Sequence, residues 1–127
     1  MTAAKTILVV EDGWVIRDTL QELLSTEGYR VVTAENGREG LDVLRDLGPV
    51  AAVLLDLQMP VMNGEKFLDE IDLDPDPRLR AVPILVLTAR REGLDRPVAG
   101  LLRKPVNVDV LLHRLSELCA VGEGGVT

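Results

Sequence analysis

Apolar residues follow two alternating patterns along this chain. Five short runs (Thr6–Val10, Arg30–Ala34, Val50–Leu55, Val82–Leu87 and Gly100–Leu102) are rich in valine, leucine and isoleucine and too short for most helices. Such runs are the signature of strands covered on both faces. Between them, apolar residues recur at three- and four-residue spacing. Ile16, Leu20, Leu23 and Leu24 predict a helix from Trp14 to Glu27, stopped by Gly28. Gly40, Leu41, Leu44 and Leu47 predict a second, capped by Asn36 and ended by Gly48-Pro49. Phe67, Leu68 and Ile71 mark a third, from Gly64 to about Asp72. Asp74-Pro75-Asp76-Pro77 stops it, because proline cannot continue a helical ladder. Asn107 caps a last helix whose stripe is Val108, Leu111, Leu112, Leu115, Leu118 and Cys119. The segment from Arg90 to Pro97 has room for one or two helical turns at most, with Gly93 inside it. Val121 to Thr127 reads as a flexible tail, leaving a single domain over residues 1–127 with its core in about 5–120.

Strands alternating with helices give an α/β fold with a doubly wound five-stranded parallel sheet, in the flavodoxin-like order 2-1-3-4-5. In such a sheet ligands bind at the carboxyl ends of the strands. Four of these ends carry polar groups: Glu11-Asp12, Asp56, Thr88 and Lys104. Asp56 is delivered by the most continuous apolar run, which breaks into a turn containing Pro60 and Gly64. A carboxylate there can serve as metal ligand, nucleophile or helix cap. The strand order makes the first and third strands neighbours, so Asp12 and Asp56 can approach closely. Crowded carboxylates repel unless a cation offsets them, and oxygen ligands with water suit Mg²⁺ or Mn²⁺. Lys104 adds a positive charge and Thr88 a hydroxyl, a set that suits a phosphoryl group carried on Asp56.

Composition narrows the choice. Aromatic residues are 2% of the 127, so the core is aliphatic and offers no stacking platform for nucleic acid. A net charge of −7 without a basic patch argues against nucleic-acid binding and favours divalent cations and basic protein partners. The single cysteine, Cys119, excludes an intramolecular disulfide or a cysteine metal cluster. The opening apolar run is broken by Glu11 and Asp12, so neither a signal peptide nor a membrane span is expected, and a cytoplasmic setting follows.

Taken together, Ile7-Leu-Val-Val-Glu11-Asp12, Asp56-Leu-Gln-Met-Pro60-Val-Met-Asn-Gly64, Leu87-Thr88-Ala89 and Lys104-Pro105 resemble the receiver domain of bacterial two-component response regulators over almost the whole chain. The resemblance implies Asp56 as the phosphate-accepting residue, Asp12 as a direct Mg²⁺ ligand, Glu11 as a ligand through water, and the carbonyl of Gln58 as a third protein ligand. It further implies Thr88 as the switch hydroxyl and Lys104 as the site lysine, joined to Pro105 by a cis peptide bond. The implied donor is a histidine kinase or phosphotransfer protein, and the implied result is altered contact with an output partner that the sequence does not identify. Such a domain is not a classical enzyme, but it catalyses its own Mg²⁺-dependent phosphorylation and dephosphorylation. Two departures bear on output. Leu101 stands where the family usually has tyrosine or phenylalanine, and the interval from Thr88 to Lys104 is shorter than usual, which implies a shortened or absent fourth helix.

Individually, these residues have simpler readings. Asp12 can cap the first helix, Thr88 can be a strand-end residue and Lys104 a solvated lysine. Met59 and Met62 read as packing residues, His113 lies off the apolar stripe and reads as surface, and Cys119 completes that stripe. Arg90 and Arg91 either gate the site or are solvated. The competing functions are a phosphorylation-independent interaction module and a small phosphatase with an aspartyl intermediate; against the latter, the chain has no obvious second catalytic acid.

Overall fold

The computed structural model describes residues 4–91 and 94–123, with side chains through Cys119. In chain order the elements are β1 (Thr6–Val10), α1 (Trp14–Thr26), β2 (Arg30–Ala34), α2 (Gly37–Leu47), β3 (Ala52–Asp56), α3 (Gly64–Asp72), α4 (Pro77–Arg80), β4 (Ile84–Thr88), β5 (Gly100–Arg103) and α5 (Val108–Glu123). The five strands are all parallel, in the order β2-β1-β3-β4-β5. This is the flavodoxin-like arrangement predicted from the patterning.

Strand periodicity divides the core in two. Leu8, Val10, Val53, Leu55, Ile84 and Val86 pack with Leu41 and Leu44 of α2, Phe67, Leu68 and Ile71 of α3, and Leu79 of α4. Ile7, Val9, Ala52, Leu54, Leu85 and Leu87 point the other way, onto Leu20 and Leu24 of α1 and Leu111, Leu115 and Cys119 of α5. β1, β3 and β4 are covered on both faces, as their apolar runs require.

The element ends differ from the sequence reading in ways that matter for the site. β3 starts at Ala52 rather than Val50 and includes Asp56; β4 starts at Ile84 and includes Thr88. Both polar residues are therefore the last residues of their strands, fixed by the ladder. The Pro83 carbonyl still accepts from Val53 N–H, although Pro83 precedes the strand. Asp74-Pro75-Asp76-Pro77 ends α3 but also starts α4, with Asp76 capping Arg78 N–H and Pro77 in the first turn. Buried Asp74 anchors this corner. Its carboxylate accepts from Arg45 Nε at 3.1 Å and from Asp76 N–H at 2.9 Å, while its carbonyl takes the Arg80 guanidinium. α5 continues to Glu123, past the expected core boundary, and residues 124–127 of the expected tail lie outside the described residues.

Between β4 and β5 no helix is formed among the described residues; Glu92 and Gly93 lie outside them. The crossover instead contributes Leu94 and Val98 to the α2/α3 side of the core, beside Leu101 of β5. Leu101 is half-buried there and has no polar tip to reach outward.

Gly64 shows how tightly the turn after β3 is folded back. A β-carbon on it would lie 2.6 Å from the Asp56 carbonyl oxygen and 2.8 Å from Leu57 Cα, both backbone atoms that cannot move aside. We expect Gly64→Ala to cost about 1–3 kcal/mol through overpacking. The check is urea denaturation, which should show a lower midpoint with an unchanged slope.

Candidate functional site

The turn from β1 into α1 sets the acidic pair. Glu11 is buried and its Oε2 accepts from Gly13 N–H at 3.1 Å. Arg17, in the first turns of α1, donates to the carbonyls of Glu11 at 2.9 Å and Asp12 at 3.3 Å, which holds the backbone of both. Sequence reading missed Arg17; its position six residues after Glu11, one helical turn into α1, was the available signal. Asp12 is exposed and does not cap α1. The N-cap is Gly13 and no side chain fills that role, so the capping alternative is set aside.

Glu11, Asp12 and Asp56 each present a carboxylate oxygen, and these atoms lie within 4.8 Å of one another. Lys104 faces the same cluster from the end of β5, with Nζ 2.7 Å from Glu11 Oε1 and 3.5 Å from Asp56 Oδ1. Its peptide bond to Pro105 is cis, and its own N–H donates to the Thr88 carbonyl at 2.8 Å. Asp56 Oδ1 also accepts from Gln58 N–H at 3.2 Å, which brings the Gln58 backbone to the site. Thr88 is fully buried, and its hydroxyl accepts from Arg90 N–H at 3.0 Å. The structure thus places all six predicted residues, Glu11, Asp12, Asp56, Gln58, Thr88 and Lys104, at the carboxyl edge of the sheet.

The turn that follows Asp56 is held from several sides. Met62 N–H bonds back to the Pro60 carbonyl at 2.7 Å around Val61, whose φ of 67° is rare for a β-branched residue. Gly37 N–H takes the Met62 carbonyl at 2.9 Å, Gly64 N–H takes the Leu57 carbonyl at 3.0 Å, and Asn63 caps Lys66 N–H. Met59 is buried and Met62 packs on the core, as read from the sequence. His113 is 74% exposed, 3.8 Å from Glu117, and takes no part in the site.

Electrostatics follow from the crowding. Burial, then the neighbouring Glu11 carboxylate, push Asp56 up from 3.8 to about 6, against the lowering pull of Lys104 and the Gln58 N–H. Burial alone would lower Lys104, but its hydrogen bond to Glu11 and the charges of Asp56 and Glu11 outweigh this and raise it. The ammonium therefore stays charged across the neutral range.

An acidic cluster with a facing ammonium, set at the carboxyl edge of a 2-1-3-4-5 parallel sheet, defines the receiver class of signalling domain. This chain belongs to the response regulator receiver domain family, whose model matches residues 7–116. It is 38% identical over 118 residues to the response regulator MprA of Mycolicibacterium vanbaalenii, covering 88% of this chain and 49% of that protein. The chain thus spans about half the length of the curated relatives it matches. Among solved structures it is similar to the chemotaxis protein CheY4 of Vibrio cholerae, with 30% identity, a TM-score of 0.81, and coverage of 91% of this chain and 99% of that one. It is also similar to the receiver domain of a sensor histidine kinase from Pseudomonas aeruginosa, with 28% identity, a TM-score of 0.79, and coverage of 93% and 99%. That domain was solved with a magnesium ion coordinated in its active-site cleft.

The raised Asp56 has a stability consequence. Its folded-state value near 6 exceeds its unfolded value of 3.8, so protonation favours the fold. That contribution is full below pH 3.8 and is lost as pH rises through 6. In metal-free buffer at pH 7.5, Asp56→Asn should therefore be more stable than wild type by about 2–3 kcal/mol. The gap should close towards pH 4, as followed by urea denaturation at both pH values.

Proposed function

We propose that this domain accepts a phosphoryl group on Asp56 from the phosphohistidine of a histidine kinase or phosphotransfer protein, with Mg²⁺ bound at the acidic cluster. The single observation that carries this reading is the convergence of Glu11, Asp12 and Asp56 within 4.8 Å, with Lys104 directed into the same space. The donor set fits the ion. Glu11, Asp12 and Asp56 offer hard carboxylate oxygens, the donor type that Mg²⁺ takes in an octahedral site. Asp12 and Asp56 would hold Mg²⁺ directly with the carbonyl of Gln58, and Glu11 through water; Mn²⁺ suits the same donors. When bound, the ion offsets charge on the transferring phosphoryl oxygens.

The protein's own groups do the rest. The Asp56 carboxylate attacks phosphorus, forming an O–P bond as the donor's P–N bond breaks and its electron pair returns to the imidazole. Lys104, close to Asp56 Oδ1, balances charge on the phosphoryl oxygens, and the Thr88 hydroxyl donates to one of them. Hydrolysis of the acyl phosphate at the same site resets the domain, so both reactions are catalysed by the receiver itself.

Partner docking has support beside the site. Val15, Ile16, Leu20 and Leu23 of α1 and Pro105, Val106, Val108 and Leu111 line an apolar groove of about 240 Å³ that reaches Lys104. Trp14, Val15 and Ile16 are 67%, 58% and 40% exposed, although Ile16 was expected in the buried stripe. An apolar face next to the accepting carboxylate suits a phosphodonor protein that must bring its histidine to Asp56. No described helix is long and apolar enough to cross a membrane, and we place the domain in the cytoplasm with its kinase.

With Mg²⁺ and acetyl phosphate, intact-mass spectrometry should show one base-labile phosphoryl adduct on wild type and none on Asp56→Asn. The same adduct on Asp56→Asn would place the nucleophile elsewhere, and no adduct on either protein would favour a phosphorylation-independent interaction module. Separately, calorimetry should show that Asp12→Ala weakens Mg²⁺ binding by about tenfold or more; equal affinity would remove Asp12 from the ligand set.

A further inference from the structure

Among the described residues the crossover from β4 to β5 carries no helix, and arginines hold it to α3. Arg96 donates to Asp69 at 2.6 Å, to Asp72 at 2.7 Å and to the Glu65 carbonyl at 3.4 Å. Arg90 pairs with Glu65 at 3.1 Å, and its own carbonyl receives the guanidinium of Arg103. Arg96 and Arg90 are about three-quarters covered although their carboxylate partners are half exposed or more. Beneath Arg96 and Val98 lies a cleft of about 320 Å³, lined also by Leu68, Ile71, Val82 and Ile84.

Both ends of this strap meet the candidate site. Arg90 N–H donates to the Thr88 hydroxyl. Glu65, the other anchor, follows Gly64, which is packed against the Asp56 carbonyl and Leu57. The hold on Arg90 is incomplete: its Nε is buried with no acceptor among the described residues, and a terminal nitrogen reaches Glu65. A desolvated donor without a partner disfavours the present arrangement.

We propose that Arg90 and Arg96 form an ionic strap in place of the crossover helix, with Arg90 as the positioning residue that couples the strap to the Thr88 hydroxyl, and that a phosphoryl group on Asp56 releases it. The proposal rests on the phosphoryl-accepting reading of Asp56. A hydroxyl drawn to the phosphoryl oxygens moves away from Arg90 N–H. Arg90 is tethered to Glu65 and by Arg103, so it must either resist or let go. Coupling of this kind is reciprocal: if phosphorylation loosens the strap, a loosened strap favours the phosphorylated form.

The experiment uses beryllofluoride with Mg²⁺ as a stable mimic of the acyl phosphate. Amide deuterium exchange over 94–99 and fluorine NMR titration are measured on wild type, Glu65→Gln and Arg96→Gln. In wild type the mimic should accelerate exchange over 94–99 to the rate that Arg96→Gln shows without it. Because the pairs are partly exposed, each variant should bind the mimic about two- to fivefold more tightly than wild type. Unaltered wild-type exchange, or variants that bind the mimic no more tightly than wild type, overturns the strap while leaving the phosphoryl chemistry intact. No bound-fluoride signal in wild type would instead overturn the phosphoryl-accepting reading, and the coupling with it.

Discussion

Three carboxylates brought to one sheet edge are the constraint on which this structure depends. Two of them, Glu11 and Asp56, are buried and adjacent, and such a pair repels. The fold offsets that repulsion with one ammonium, Lys104, delivered from the far side by the shortest strand. Much of the local architecture serves to keep these groups apart from water yet close together. The Arg17 guanidinium fixes the carbonyls of the acidic pair, and the Thr88 carbonyl accepts from Lys104 N–H. Such crowding suits the proposed ligands, a cation together with a negatively charged group.

The strands and four of the five helices were legible because each has a period of its own, and buried parallel strands leave few alternative readings. Asn36, Asn63 and Asn107 each cap the helix that follows by accepting from a backbone N–H. Only Asn36 and Asn107 were assigned as caps. The local errors have simple causes. Asp76-Pro77 is both an end signal and a start signal, and only the first was read. Ile16, Leu47 and Val108 continue the apolar spacing of α1, α2 and α5, but each lies in a terminal turn and is exposed, and spacing cannot show where cover stops. That Glu11, Asp12, Asp56, Thr88 and Lys104 lie together was legible because strand order fixes which strand ends meet; Gln58 was implied only by the family resemblance. The arginine contacts of the crossover were not. They join residues 24 to 31 apart with no periodic pattern, so nothing local marks them.

The two faces of the sheet are covered by different means. On one side α1 and α5 lay continuous aliphatic stripes over the strands. On the other, α2, α3 and Leu79 of α4 pack on the strands, with Leu94 and Val98 of the crossover partly buried against them and Arg96 paired to Asp69 and Asp72. Aliphatic burial is not weakened by charge screening, whereas exposed ion pairs are. The second face therefore responds to ionic conditions at the edge where the first does not, and this edge is also where Leu101 replaces the ring expected from the family resemblance.

The contact between Lys104 and Glu11 joins residues 93 positions apart. During synthesis the first strand and the acidic pair leave the ribosome long before the lysine that offsets them. A nascent chain can pair β1 with β2 and β3, but it brings Glu11 and Asp56 together with no protein cation opposite. Closure of the charge balance must wait for β5, an edge strand and the last to be made. The reactive centre thus also records completion: a partly synthesised domain can possess most of its sheet and still lack a competent site.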